Sequence, residues 1–130
     1  MLFTVAVHNP PYTASANHHA LSFCRAALAA GHNIARVFFY HEGVYTALNA
    51  QVTPQDEGDT LAQWQHLAAA HDIELAVCIA NALKRGVVSE QEQVRYDKSA
   101  ATLAEPFQLV GLGQLIDAIA MSDRYIEFPA

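Results

Sequence analysis

The sequence contains few basic side chains and no long apolar run. Lysine and arginine together number 7 against 13 aspartates and glutamates, so the net charge is −6 at pH 7. A nucleic-acid binder normally presents a basic face to the phosphates, so we expect no direct binding of RNA or DNA. No apolar run approaches the roughly 20 residues that cross a bilayer, and the first residues lack the basic start and cleavage site of a signal peptide. We therefore expect no membrane segment.

Cysteine is also scarce, and its placement disfavours two classes of protein. Cys24 and Cys78 lie far apart and form no Cys-x-x-Cys pair. This usage suits a reduced, cytoplasmic chain better than a secreted chain held together by disulfides. A dithiol oxidoreductase is disfavoured as well, because its chemistry needs a second thiol beside the first.

The pattern that is present alternates strand-like apolar runs with helical spacing. Strands are predicted at residues 2–7, 34–40, 73–77, 107–110 and 124–128, and helices at 16–30, 60–71, after Cys78, after Ser89 and at 112–121. This alternation predicts one α/β domain over residues 1–130, with about five mostly parallel strands, helices on both faces and a flavodoxin-like arrangement. Residues 41–59 are predicted to form a long loop with one turn of helix, and loops of that length are often functional.

Helical spacing also predicts which side chains face the core. Cys24 shares a helical face with Leu21 and Leu28, so we expect it to be packed in the core. In the last helix, four side chains are predicted to face inward: Leu115, Ile116, Ile119 and Ala120.

Cys78 stands where a strand ends and a helix begins. Ile73–Val77 has the length and composition of a buried strand, and the residues after Cys78 favour a helix that ends at Gly86. Sites in an open parallel sheet gather at the carboxyl ends of strands, and a thiol at a helix N-terminus is favoured as the reactive thiolate. Cys78 is therefore the candidate nucleophile, although a buried cysteine that only fills space would show the same pattern.

Charged and aromatic residues near this edge could line a pocket or support the thiolate. Lys84 and Arg85 lie within two turns of Cys78, and the alternative is that they form a solvated helix end. Three more candidates close the second strand, where they either line the pocket or form a surface loop: Tyr40, His41 and Glu42.

The seven histidines show no recognised metal-binding pattern. His18 and His19 are adjacent, so on a helix they point about 100° apart. His66 and His71 are five residues apart, not at the four-residue spacing of a helical zinc pair. We expect no metal site.

Three short motifs lie at Val37–Tyr45, at the Cys78 stretch with Arg85–Val88, and at Gly111–Leu115. Together they resemble the DsrE/TusD family of sulfur-relay proteins. Val37–Tyr45, VFFYHEGVY, is similar to the family's FFY-x-(D/E)-G-V segment. The Cys78 stretch with Arg85–Val88 is similar to its active-site region, and Gly111–Leu115 is similar to its GLG-x-L segment. Asp123–Arg124 precedes the last strand as in the family, so the resemblance spans essentially the whole chain.

This resemblance implies a DsrE-like fold and a sulfurtransferase that needs no metal or organic cofactor. Cys78 would take sulfane sulfur as a persulfide from a small upstream carrier and pass it to a downstream acceptor carrier. Family members of this kind assemble with two smaller paralogous subunits into a heterohexamer with two copies of each. In one branch the sulfur ends in 2-thiouridine at tRNA wobble positions, and in the other it serves dissimilatory sulfur oxidation. Gly43–Ala47 looks closer to the tRNA branch.

Two other functions stay open on the sequence alone. An apolar content of 52% in so small a domain also fits a structural subunit whose chemistry belongs to a partner. The loops after the first and second strands could instead bind a nucleotide or flavin, as in flavodoxin-like proteins. A persulfide on Cys78 would favour the sulfur carrier over both the structural subunit and the nucleotide or flavin binder.

Overall fold

Strands and helices alternate along the chain in the predicted order. The computed structural model describes residues 1–129. The strands are β1 (Leu2–Val7), β2 (Asn33–Phe39), β3 (Glu74–Cys78), β4 (Gln108–Val110) and β5 (Arg124–Phe128). The helices are α1 (Ala16–Ala29), α2 (Thr60–His71), α3 (Ile79–Lys84), α4 (Glu90–Arg95) and α5 (Leu112–Met121), and a 3₁₀ helix spans His41–Ala47. These bounds lie close to the predicted ones.

The five strands form one parallel sheet in the order β4-β3-β2-β1-β5. From β1 to β4 each strand is added on the same side of the last, so right-handed crossovers place α1, α2 and α3 on one face. The chain then returns across the sheet to β5, and the same rule places α5 on the opposite face. The predicted parallel α/β architecture with helices on both faces is confirmed.

The face beneath α1 and α2 carries the larger core. Successive residues of a strand face opposite sides of the sheet, so alternate side chains of the central strands meet here. Trp64 of α2 is fully buried and meets the ring of Phe39 edge-on, with ring centroids 5.3 Å apart. Its indole N–H donates to Asn17 Oδ1 at 2.8 Å, and Asn17 Nδ2 donates to Thr46 Oγ1 at 3.1 Å. This buried polar cluster joins α1, α2 and the 3₁₀ helix.

The opposite face carries a smaller core beneath α5. Its buried members are Phe38, Ala76 and Cys78, and the side chains packed against them are Tyr40, Val110 and Leu115. The hydroxyl of Thr4 on β1 donates to the carbonyl of Ala118 at 3.1 Å, which fixes α5 against the sheet. A single helix therefore covers the face on which Cys78 lies.

The predicted inner face of α5 is wrong in part. Leu115 packs inward, but Ile116 is 62% exposed, Ile119 is 36% exposed and Ala120 is exposed as well. Ala118, which is 3% exposed, takes the inward position instead. The reason is that α5 approaches β1 through a small side chain and a backbone carbonyl, which turns its larger apolar side chains away from the sheet.

The helices are short, and two of them begin at a residue whose side chain caps the helix. The longest, α1, has 14 residues. Asp59 accepts a hydrogen bond from the Ala62 amide at 3.0 Å, and Ser89 accepts one from the Glu92 amide at 3.3 Å. Within residues 1–129, none of the helices combines the length and the apolar character that crossing a membrane requires.

Candidate active site at the carboxyl edge of the sheet

The topology places a switch point beside the last residue of β3. Cys78 pairs with Val110, the last residue of β4. The chain leaves β3 through α3 on the side of the larger core, whereas it leaves β4 through α5 on the opposite side. Neighbouring strands whose connections diverge in this way form the switch point at which α/β sheets bind ligands. Cys78 stands at this switch point.

Among residues 1–129, the thiol of Cys78 has one side-chain hydrogen-bond partner. Cys78 occupies the N-cap position of α3 with extended backbone angles, φ −60° and ψ 114°. The side-chain amide of Asn81 donates from Nδ2 to Sγ at 3.2 Å. A hydrogen-bond donor directed at sulfur favours the thiolate over the thiol, because it stabilises the charged form.

Cys78 is more deeply buried than a sulfur carrier requires. A nucleophile at the carboxyl end of a strand would be expected within reach of other molecules, but Cys78 is only 5% exposed. Tyr40 and Leu115 pack against the small cluster to which Cys78 belongs. The described cavities lie elsewhere; one of about 390 Å³ is lined by Arg36 and Asp117, and one of about 870 Å³ lies beside Phe107. A side chain at this edge must move before another protein's sulfur can contact Sγ.

Arg85 connects the thiol to the 3₁₀ helix. Its Nη2 donates to Glu42 Oε1 at 3.2 Å. Its Nη1 donates to the side-chain Oδ1 of Asn81 at 3.3 Å and to the carbonyl of Asn81 at 3.1 Å. The hydrogen bond to Glu42 raises the pKa of Arg85, and nearby negative charges, including that of Cys78, act in the same direction while desolvation opposes them. The structure thus brings two predicted candidates, Arg85 and Glu42, to Cys78 through Asn81.

Aromatic rings cover the edge between β1 and β2. Tyr40 contacts the Cys78 cluster, and its ring lies 4.1 Å from that of His41 and 5.6 Å from that of His8, centroid to centroid. His41 adopts a left-handed backbone conformation, φ 48°, and is exposed. Nε2 of His8 lies 3.6 Å from Glu127 Oε1. Tyr40 therefore belongs to the site, whereas His41 lies behind it.

The surroundings of Gly43 explain why the FFY-x-(D/E)-G-V segment needs a glycine at this position. A Cβ at this position would lie 2.3 Å from the carbonyl oxygen of Val7, because the 3₁₀ helix presses against the end of β1. The Gly43 amide donates to the His8 carbonyl at 3.1 Å, and the Tyr40 amide donates to the Val7 carbonyl at 2.9 Å. This close approach sets the positions of Tyr40 and Glu42. The predicted turn of helix within residues 41–59 is thus a 3₁₀ helix that supports the site.

Two predicted candidates, His41 and Lys84, lie away from the thiol, and two residues in or near the site escape sequence reasoning. Lys84 is exposed and forms no ion pair within residues 1–129. Asn81 and His8 are the residues missed. The available signals were the one uncharged polar residue of the helix IANALK, three positions after Cys78, and a histidine directly after the first strand.

The second cysteine is packed in the core, as predicted. Cys24 is fully buried, and burial raises the pKa of its thiol to about 12 against a smaller opposing effect of the Arg25 charge. Both cysteines are free. Only Cys78 lies at the sheet edge. Within residues 1–129, no three histidine, cysteine or acidic side chains are grouped as a metal site would need.

Known proteins resemble the chain over almost its whole length. Residues 1–128 match the model of the DsrE/DsrF-like family. The sulfurtransferase TusD homolog of Aliivibrio fischeri is 42% identical over 128 residues, covering 98% of each chain. The homolog of the same name from Pseudomonas aeruginosa is 44% identical over 128 residues, covering 98% of this chain and 97% of the relative. A protein of Allochromatium vinosum that carries the name DsrE is 38% identical over 128 residues, with 98% of each chain covered.

A solved structure has the same fold at low sequence identity. The crystal structure of the ychN protein from E. coli superimposes with a TM-score of 0.78 and covers 98% of this chain and 99% of that chain. The two sequences are 17% identical, so this likeness speaks for the fold alone.

Proposed function

Since this chain belongs to the DsrE/DsrF-like family, we propose that it is a sulfurtransferase subunit that carries sulfane sulfur as a persulfide on Cys78. Full-length relatives that carry sulfurtransferase names support the sulfur-relay role. The observation that carries the proposal is the position of Cys78 at the switch point of the sheet, with an amide donor directed at its sulfur.

The proposed reaction is an exchange of one sulfur atom between thiols. The Cys78 thiolate attacks the outer sulfur of a donor persulfide, a new S–S bond forms at Sγ, and the donor cysteine leaves as a thiolate. An acceptor thiolate then attacks the terminal sulfur, and Cys78 is released as the leaving thiolate. Electrons balance within each exchange, so neither a metal nor an organic cofactor is required.

A single reactive thiol suits this reaction. A second cysteine near Cys78 would convert the persulfide into a disulfide and release the sulfur prematurely. Cys24 is sealed in the core on the other face of the sheet and cannot act in this way. This arrangement favours a carrier over a dithiol oxidoreductase.

We also propose that the chain works with partner proteins. The resemblance implies two smaller paralogous subunits in a heterohexamer, an upstream carrier that donates sulfur and a downstream carrier that accepts it. Leu112, Ile116 and Ile119 form an exposed apolar stripe on α5, which would be costly to leave in water and fits a subunit contact. The same helix supplies Leu115 to the Cys78 cluster, so assembly and access to the thiol would be coupled.

The proposed destination of the sulfur is 2-thiouridine at tRNA wobble positions. The resemblance of Gly43–Ala47 to the tRNA branch and the TusD names of relatives favour this branch. The second candidate is dissimilatory sulfur oxidation, which the 38% identity to a protein named DsrE favours. Loss of 2-thiouridine from tRNA after deletion of the gene would support the first, and unchanged 2-thiouridine would support the second.

Loading of Cys78 tests the carrier function directly. The purified chain is incubated with a cysteine desulfurase, free cysteine and the upstream carrier, and its peptides are analysed by mass spectrometry. We expect one added sulfur atom on Cys78, no label in Cys78→Ser and full labelling in the matched control Cys24→Ser. A Cys78→Ser variant that still carries the added sulfur would overturn the proposal.

A further inference from the structure

Three hydrogen bonds connect Glu42 to the reacting sulfur. Glu42 accepts from Arg85, Arg85 donates to Asn81 Oδ1, and Asn81 Nδ2 donates to Cys78 Sγ at 3.2 Å. We propose that Asn81 is a catalytic residue that stabilises the Cys78 thiolate. Arg85 and Glu42 are then positioning residues that orient the amide. This inference rests on the proposed sulfur-transfer function and assigns a new residue to it.

The orientation of the Asn81 amide follows from its neighbour. An arginine side chain carries only donors, so the group that faces Arg85 must be the acceptor oxygen of the amide. The NH₂ group of Asn81 is therefore left to face Cys78. Without Arg85 the amide could turn by 180° and present its oxygen to the sulfur, which would repel a thiolate.

Arg85 is itself held from two sides. Its Nη1 also donates to the backbone carbonyl of Asn81, one helical turn earlier, at 3.1 Å. Its Nη2 meets Glu42 of the 3₁₀ helix, which Gly43 fixes against the end of β1. The Arg85 side chain is 20% exposed, so water competes only partly for these bonds. Two separate elements of the fold thus converge on one amide group.

The same amide acts on Sγ in both halves of the proposed exchange. In the first half, Sγ is the attacking thiolate, and the donor faces the sulfur that carries the negative charge. In the second half, Sγ is the leaving group, and the donor accepts the negative charge that the broken S–S bond places there. Lower basicity slightly weakens a nucleophile but helps a leaving group, so the discharge of sulfur gains most from Asn81.

The first test measures alkylation of Cys78 by iodoacetamide as a function of pH in the full chain. Asn81→Ala is expected to move the pH–rate profile upward, because the thiolate loses a hydrogen bond that stabilises its charge. Asn81→Asp is expected to move the midpoint further, because a carboxylate cannot donate and repels the thiolate. Profiles of both variants that coincide with the wild-type profile would overturn the inference.

Variants of α3 separate orientation from overall charge. Arg85→Lys keeps the positive charge but loses the planar fork that reaches both Glu42 and Asn81, so its profile should shift in the direction of Asn81→Ala. The matched control is Lys84→Gln, which removes an exposed cation from the same helix and should leave the midpoint in place. An equal shift in Lys84→Gln would show that net charge acts, and not the hydrogen-bonded amide.

The second test measures the leaving-group effect alone. Cys78 is loaded with sulfur by inorganic polysulfide, and cyanide then attacks the outer sulfur. A C–S bond forms, the S–S bond breaks, and thiocyanate and the Cys78 thiolate are released. We expect Asn81→Ala to release thiocyanate several-fold more slowly than the wild type at the same loading, and an unchanged rate would contradict the inference.

The outcomes distinguish this inference from the proposed function. Alkylation needs no sulfur donor. An unshifted profile together with normal loading by the desulfurase would therefore exclude the catalytic role of Asn81 but would still support the carrier function of Cys78. A shifted profile in the Asn81 variants, with a wild-type chain that never accepts sulfur, would instead exclude the carrier function.

Discussion

At the scale of single residues, the site depends on a glycine without any chemistry of its own. Gly43 allows the 3₁₀ helix to lie directly against the carbonyl of Val7, and this contact sets the direction of Glu42. Glu42 then holds Arg85, and Arg85 holds Asn81 beside the thiol. The glycine in the sequence motif is thus a steric requirement that acts on the site through three contacts.

Replacing Gly43 by alanine should destabilise the protein. The new Cβ would lie 2.3 Å from a backbone oxygen, so the backbone must shift, at a cost of about 1–3 kcal/mol of unfolding free energy. Urea denaturation followed by circular dichroism measures this loss. The control is Gly113→Ala on α5, where an added Cβ meets nothing within 4 Å and stability should be equal or slightly higher. Equal stability of both variants and the wild type would contradict the steric account.

The buried thiol of Cys24 should make stability fall in alkaline solution. Its pKa rises from 9.0 to about 12 on burial, so between these values the unfolded chain releases a proton that the folded chain keeps. The free energy of unfolding should therefore fall with rising pH above about 9, by up to about 1.4 kcal/mol per pH unit. Urea titrations at several pH values should show this extra slope in the wild type and not in Cys24→Ala. Parallel slopes would contradict it.

Sequence reasoning selects Cys78 as the candidate thiol but does not give its surroundings. Cys78 follows from a local signal, the change from strand to helix, and Glu42 and Arg85 follow from their nearness to strand ends. The contact between Glu42 and Arg85 joins residues 43 positions apart, so it depends on which strands are neighbours. The depth of Cys78 likewise depends on Tyr40 and Leu115, which come from two other parts of the chain.

At the scale of elements, α5 shows that a periodic apolar pattern predicts a helix but does not predict what the helix packs against. The pattern correctly predicts a helix at residues 112–121, because its apolar residues recur at helical spacing. It does not determine whether the apolar stripe packs on the chain's own sheet or on another protein. Ala118 and the Thr4 hydroxyl decide this, and they leave Ile116 facing outward.

A polar residue at position 116 should weaken assembly without unfolding the chain. Ile116 is 62% exposed, so Ile116→Gln should change the unfolding free energy of the isolated chain by less than about 0.5 kcal/mol. Recovery of the paralogous subunits in co-purification should fall clearly. Asp117→Asn, at an exposed polar position on the same helix, is the matched control and should assemble normally. Full assembly of Ile116→Gln would place the subunit contact elsewhere.

At the scale of the whole molecule, the strand order creates the site. The alternation of strands and helices predicts a parallel sheet with helices on both faces, because only crossover connections join parallel strands. It does not fix the order β4-β3-β2-β1-β5, which depends on contacts between distant segments. That order makes the connections of β3 and β4 diverge beside Cys78 and so places the switch point of the sheet there.

The burial of Cys78 also has its explanation at this scale. On the proposed function, the burial of Cys78, which is 5% exposed, would protect a persulfide from water and stray thiols. A partner that covers α5 would contact the helix that supplies Leu115, and a small movement there would open the way to the sulfur. On this account, onward transfer depends on assembly more strongly than the chemistry of the thiol does.

The most direct measurement follows one labelled sulfur atom through Cys78. The assembled complex is loaded with ³⁴S-labelled sulfur, freed of donor and mixed with the acceptor carrier, and both proteins are followed by mass spectrometry over time. The account predicts that the label leaves Cys78 and appears on the acceptor cysteine at the same rate, and that Cys78→Ser transfers none. Label that reaches the acceptor while Cys78 stays unlabelled would contradict it.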